Sequence, residues 1–237
     1  MMSFLTNVIY SPDKSLAGVF GRQTKNRKIM KLQADLTSLI NYAVKAPSGH
    51  NTQPWTFRIE GNTIEIHPDL SRALPVVDTD NHALYISLGC AAENIVIAAA
   101  EQAKAASVNI IDDGTSPAYL SITVDEAGSA KPGDLFRYIE LRQCTKNKYE
   151  QRPVSDQEIG ELKMAVSFTG IGLMMFTTPE EINRIRPFII EGSNRQFQNR
   201  QFVNELVSWI RFSKREATHK RDGVWGASMG MPGTGRL

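Results

Sequence analysis

The sequence predicts an α+β fold with an antiparallel or mixed sheet, helices flanking it, and one long central helix. Three observations carry that prediction. Apolar residues alternate with polar ones over TFRIEGNTIEIHP, they recur at helical spacing over residues 84–99, and strands and helices are grouped instead of strictly alternating.

The 237 residues, 41% of them hydrophobic, are enough to bury a core, while a formal net charge of +2 lacks the dense cationic footprint of a nucleic-acid binder. The two cysteines, Cys90 and Cys144, form no CxxC pair and have no ligand-spaced histidines nearby, which argues against structural zinc or a disulfide framework and fits a reducing cytoplasm. The N-terminus shows no basic region followed by a long apolar stretch, and Glu93 and Asn94 interrupt the most apolar segment. Neither a signal peptide nor a membrane span is expected.

Residues 1–31 lack a sustained period and end in the basic run RQTKNRKIMK, so they are expected to form an irregular arm. From Leu32, the positions Leu36, Ile40 and Val44 complete one helical face, which Pro47 terminates after Ala46. Phe57 and Ile59, then Ile64 and Ile66, alternate around a Gly61-Asn62 turn and predict a hairpin. After the loop PDLSRALPVVDTD, Asp78 or Asp80 can cap a helix whose Leu84, Leu88, Ala91, Ala92, Ile95 and Ala99 form a narrow face open to a second helix.

SVNIIDD and AYLSITVDE read as two strands around the turn DGTSP, followed by a helix over about 134–141. Ser155 with Glu158 predicts a capping box, GIGLMMFTT a buried strand, and residues 179–191 and 193–214 two further helices. The glycine-rich end, DGVWGASMGMPGTGRL, has no capped element after it and reads as a loop cut short. The order of elements divides into a first half over 32–133 and an incomplete second half over 134–237.

The segment APSGHNTQPW concentrates Ser48, Gly49, His50, Asn51, Thr52 and Gln53 between a helix and a strand, offering N–H groups, a hydroxyl and amides to a flat heteroaromatic edge. On the residues alone, a helix terminus made with Pro and Gly, with Trp55 as a buried anchor, is slightly the favoured reading. Arg142-Gln143-Cys144-Thr145-Lys146 is a cationic turn that could bind phosphate or an electron-rich ring edge, or could simply be solvated. Asn94 and Glu93 are expected to serve helix packing or to face solvent, and a buried Cys144 is the commoner case for a small thiol. His50, His67, His82 and His219 have no ligand-spaced partners, so no metal is expected. No GxGxxG follows a strand and no GxxxxGK[ST] occurs.

APSGHNTQPW resembles the APSxxNxQPW signature of flavin-dependent nitroreductases, and RQCTK resembles the RxSxR/K motif of the same superfamily, with Cys144 where a hydroxyl is usual. A thiol is the poorer hydrogen-bond donor. The resemblance implies a nitroreductase-like fold and an FMN site formed by Pro47, Ser48, Gly49, Asn51, Gln53, Arg142, Gln143, Cys144 and Lys146, with no protein group acting as a catalytic acid. NAD(P)H would dock transiently, and a nitroaromatic, quinone or similar small molecule would accept the electrons. The motifs stand in reversed order, which resembles a branch with two fused halves, so that one chain mimics the usual dimer or pairs further as a homodimer. By that resemblance the chain continues beyond Leu237. The alternative is a flavin-binding or storage protein in which WGASMGMPG forms a lid.

Overall fold

The computed structural model describes residues 8–10, 22–126, 130–144, 150, 152–166 and 170–229. In chain order, β1 (Val8–Tyr10) and α1 (Arg22–Ala43) precede the hairpin β2 (Trp55–Glu60) and β3 (Thr63–Pro68), then α2 (His82–Glu101), β4 (Ala105–Ile111) and β5 (Tyr119–Asp125). There follow α3 (Phe136–Leu141), α4 (Asp156–Ala165), α5 (Pro179–Gln198), α6 (Arg200–Trp209), β6 (Ile210–Arg211), α7 (Lys214–Lys220) and β7 (Val224–Trp225). The protein is a mixed helix-and-sheet structure of α+β type.

The main sheet has the order β1-β2-β3-β5-β4, with β1 parallel to β2 and the other pairs antiparallel. Its register follows from the period-2 pattern. Phe57 lies opposite Ile66, and Ile64 pairs with Ile59 on one side and Ile122 on the other, so one face is apolar. Arg58, Glu65 and Ser121 occupy the opposite face, where Glu65 pairs with Arg58 and His67. Gly61 takes φ 59°, the left-handed geometry that a tight hairpin turn requires.

Two helices cover the apolar face. Leu36, Leu39, Ile40 and Ala43 of α1 meet Leu84, Leu88, Ala91, Ala92, Ile95, Ala98 and Ala99 of α2 in one core with the strand side chains. The alanines let the helices approach closely, and each buried Leu or Ile contributes roughly 1.5–3 kcal/mol. The Asn94 amide donates to the Tyr42 carbonyl at 3.0 Å, a helix-helix bond, while Glu93 is exposed. At the start of α2 both expected acids act: Asp78 accepts from the Ala83 and Leu84 N–H groups at 2.9 Å each, and Asp80 from His82 at 3.2 Å. By length and composition α2 could cross a membrane, but its Leu84, Leu88 and Ile95 are buried inside this core.

Several expectations need correction. Helix α1 starts at Arg22, not Leu32, so part of the supposed arm is helical; Arg, Gln, Lys and Met are good helix formers and sustain a helix without an apolar period. GIGLMMFTT forms no strand, and Ile171 and Met174 are exposed. An apolar run becomes a strand only where a partner ladder exists, and no described strand pairs with it. Gly192 does not break the fifth helix, which runs on to Gln198; the break falls at Asn199, whose side-chain Oδ1 accepts from the Gln201 and Phe202 N–H groups and so caps α6. That sixth helix ends at Trp209, and the short strand β6 separates it from α7, so residues 193–214 are not one helix. The capping box is present: Ser155 and Glu158 bond reciprocally at the start of α4.

Candidate cofactor site

The polar loop between α1 and β2 is shaped by its own hydrogen bonds. The Asn51 N–H donates to the Ser48 carbonyl and the Thr52 N–H to the Gly49 carbonyl, at 2.9 Å each, closing a single 3-10 turn. The Gln53 N–H donates to Ser48 Oγ at 2.9 Å. Thr52, Pro54 and Trp55 are buried and anchor the loop, whereas Pro47 and Asn51 are exposed. A side chain at Gly49 would place its Cβ 3.0 Å from Leu74 Cδ1, so the loop sits tightly against the following segment. His50, Asn51 and Gln53 have φ of 46°, 54° and 52°, left-handed conformations that L-residues adopt only when the surroundings impose them.

The surroundings here are residues 221–223, about 170 positions downstream in the chain. The Asn51 amide donates to the Gly223 carbonyl at 3.0 Å, the Gly223 N–H returns a bond to the Asn51 carbonyl at 3.0 Å, and the Gln53 amide donates to the Arg221 carbonyl at 2.6 Å. Between them lies Asp222. One of its oxygens accepts from Arg211, whose two bonds measure 2.7 and 3.0 Å, and the other from Arg72. Arg72 also donates through Nε to the Thr52 carbonyl. Partial burial alone would raise the Asp222 carboxyl, but the bonds and charges of Arg211 and Arg72 outweigh it and hold its pKa below the ordinary 3.8. Trp209 lies beside both guanidiniums, 5.5 and 5.6 Å from its ring centre.

The cationic turn reaches the same loop from its other end. Arg142 donates to the Lys45 carbonyl at 3.1 Å, and Lys45 pairs with Glu140 at 2.8 Å. Of the remaining candidates, Gln143 and Cys144 are exposed, which corrects the expectation of a buried thiol; the Arg142 guanidinium lies 3.7 Å from Cys144 Sγ. Lys146 falls outside the described residues. Among the described residues no group of His, Cys, Asp and Glu could hold a metal ion.

Behind the loop, a gap of about 10 Å³ lined by Gly49, Thr52, Pro54 and Leu74 has room for no more than one water. A flat ligand would therefore meet the loop on its solvent side. Beyond residues 221–223, a cleft of about 460 Å³ opens between Ser71, Glu205, Trp209, Arg211, Lys220 and Asp222. Sequence reasoning missed Arg72, Arg211 and Asp222. These are single charges without period or motif, and the only local signal was the glycine after Asp222.

The donor set fits the pyrimidine edge of a flavin, which alternates acceptors with an N–H donor. A primary amide carries two N–H groups and a carbonyl, and residues 221–223 take one N–H each from Asn51 and Gln53. Arg142 engages two of its five N–H donors, one on the Lys45 carbonyl and one on Cys144 Sγ.

No protein-family model matches the chain. It is 25% identical over 178 residues to a Mycobacterium tuberculosis protein named "Putative NAD(P)H nitroreductase Rv3131", a match covering 73% of this chain and 50% of that protein. A second M. tuberculosis protein, "Putative NAD(P)H nitroreductase acg", is 26% identical over 135 residues, or 56% of this chain and 41% of that one. The chain thus spans about half the length of the curated relatives it matches.

Proposed function

We propose that the chain is an FMN-dependent oxidoreductase that draws electrons from NAD(P)H and passes them to a nitroaromatic, a quinone or a similar small acceptor. The observation that carries this reading is the bond from Arg142 to the Lys45 carbonyl, which sets a guanidinium beside the start of the Pro47–Gln53 loop. Ser48, Asn51 and Gln53 would hold the ring edge, with Pro47 and Gly49 shaping the loop, while Arg142, Gln143, Cys144 and Lys146 would supply the polar and cationic side. Bound FMN would supply two-electron redox chemistry between the nicotinamide and the acceptor. The chain's own work is orientation, a cationic field toward the electron-rich edge, and a slot open to flat molecules in turn. The two halves, 32–133 and 134–237, would then share one site in the manner of a dimer.

The test is a titration with FMN followed by quenching of flavin fluorescence. Arg142→Ala should weaken binding about 10- to 100-fold, the loss of one charge-assisted bond of roughly 1.5–3 kcal/mol. Unchanged affinity removes Arg142 from the site. A second reading, a flavin-binding or storage protein, draws support from the bonds that residues 221–223 make over Asn51 and Gln53, since such a cover could restrict access. Stopped-flow mixing of the FMN complex with NADPH separates the two: bleaching followed by recovery with an acceptor marks the reductase, and a flavin that stays oxidised marks storage.

A further inference from the structure

We infer that Arg72, anchored by Asp222, is a positioning residue that fixes the backbone of the polar loop in its ligand-ready shape. The inference rests on the loop being the flavin site, but its geometry stands by itself. His50, Asn51 and Gln53 are left-handed within four consecutive positions. Such a backbone persists only where neighbours over-determine it. The Thr52 carbonyl, in the middle of this run, accepts from Arg72 Nε, and the far end of the same guanidinium binds Asp222 Oδ2.

The guanidinium is suited to this task because it is planar and rigid, so that fixing one end at Asp222 fixes the other at Thr52. Asp222 is itself immobilised by Arg211, which is 4% exposed and donates to it through two nitrogens. The neighbours of Asp222, Arg221 and Gly223, bond directly to Gln53 and Asn51. A single carboxylate therefore ties residues 221–223 to the loop twice, once through its own backbone neighbours and once through Arg72. None of these groups need touch the cofactor.

The test uses Arg72→Gln, which cuts both ends of the link but leaves the Asp222–Arg211 pair in place. Amide hydrogen exchange is read without FMN, and FMN affinity is read separately. Exchange at the Asn51, Thr52 and Gln53 amides should rise at least tenfold while Phe57 and Ile59 in β2 stay within twofold. FMN affinity should fall about tenfold, and Arg72→Lys, which keeps charge but not the fork, should recover only part of it. Unchanged loop exchange overturns the inference whatever happens to FMN. A uniform rise through β2 and β3 also overturns it, because that marks general destabilisation. A rise confined to the loop in a protein whose wild type binds no FMN supports the positioning role and removes the flavin reading. Should Arg72→Gln not fold, Asp222→Asn severs the other end and is judged by the same pattern.

Discussion

Gly223 offers a sharp test of how residues 221–223 lie on the loop. An alanine Cβ there would fall 2.3 Å from the Trp209 carbonyl oxygen and 2.8 Å from the Arg211 guanidinium, at a φ of +73°. The left-handed backbone alone costs an L-residue roughly 1–2 kcal/mol. The clash is with main chain, so Gly223 must move, and its two bonds with Asn51, worth roughly 1 kcal/mol each, go with it. Gly223→Ala should therefore destabilise this contact by about 3–4 kcal/mol, which is a 100-fold or greater rise in exchange at the Gly223 amide. Gly61→Ala is the control: φ is similar at +59°, but nothing lies within 4 Å of the added carbon, so only the conformational cost of roughly 1–2 kcal/mol applies. If the two variants lose similar stability, the close packing of Gly223 under Trp209 is refuted.

Other expectations are direct. Leu88, fully buried in α2, should cost about 2–5 kcal/mol on replacement by alanine, and a thermal-melt loss under 1 kcal/mol would contradict its central place in the core. Asp78→Ala removes the acceptor of two N–H groups at the start of α2 and should cost roughly 1–2 kcal/mol in urea unfolding; no change would mean that Asp80 or water replaces it. Glu158 is held at about 2, below the ordinary 4.5, first by the Arg152 hydrogen bond and then by Ser155. Because its value is depressed on folding, its capping contribution to α4 is complete above pH 4.5 and fades as pH falls toward 2. An NMR titration that finds the Glu158 carboxyl at its ordinary value would remove the capping box.

What could be read from the sequence depended on how far the information reached along the chain. The hairpin was legible because Phe57, Ile59, Ile64 and Ile66 sort themselves to one face by alternation, and α2 because Leu84, Leu88 and Ile95 repeat at helical spacing. GIGLMMFTT was misread because apolar composition says nothing about a hydrogen-bonding partner. The helical stretch 22–31 was missed for the converse reason: propensity can hold a helix where no periodic face announces it. The polar loop stood out by composition, and Arg142 by its charged neighbours, yet Arg72 and Asp222 are isolated charges 150 positions apart whose meaning arises only from contact.

That long-range contact adds to the loop's own turn bonds in setting its conformation. Three left-handed residues that are not glycine cost roughly 3–6 kcal/mol at 1–2 kcal/mol each. Against this stand the Gln53 bond to Ser48, the Asn51–Gly223 pair, the Gln53 bond to Arg221 and the Arg72 bond to Thr52, together about 5 kcal/mol at roughly 1 kcal/mol each. Four of those five bonds come from outside residues 46–55. The core that α1, α2 and the sheet share lies wholly between Leu36 and Val124 and needs none of them. Fold and site therefore draw on different parts of the chain: the core is built between Leu36 and Val124, while the loop adds three bonds from residues 221–223 to its own turn bonds and to the one from Arg72.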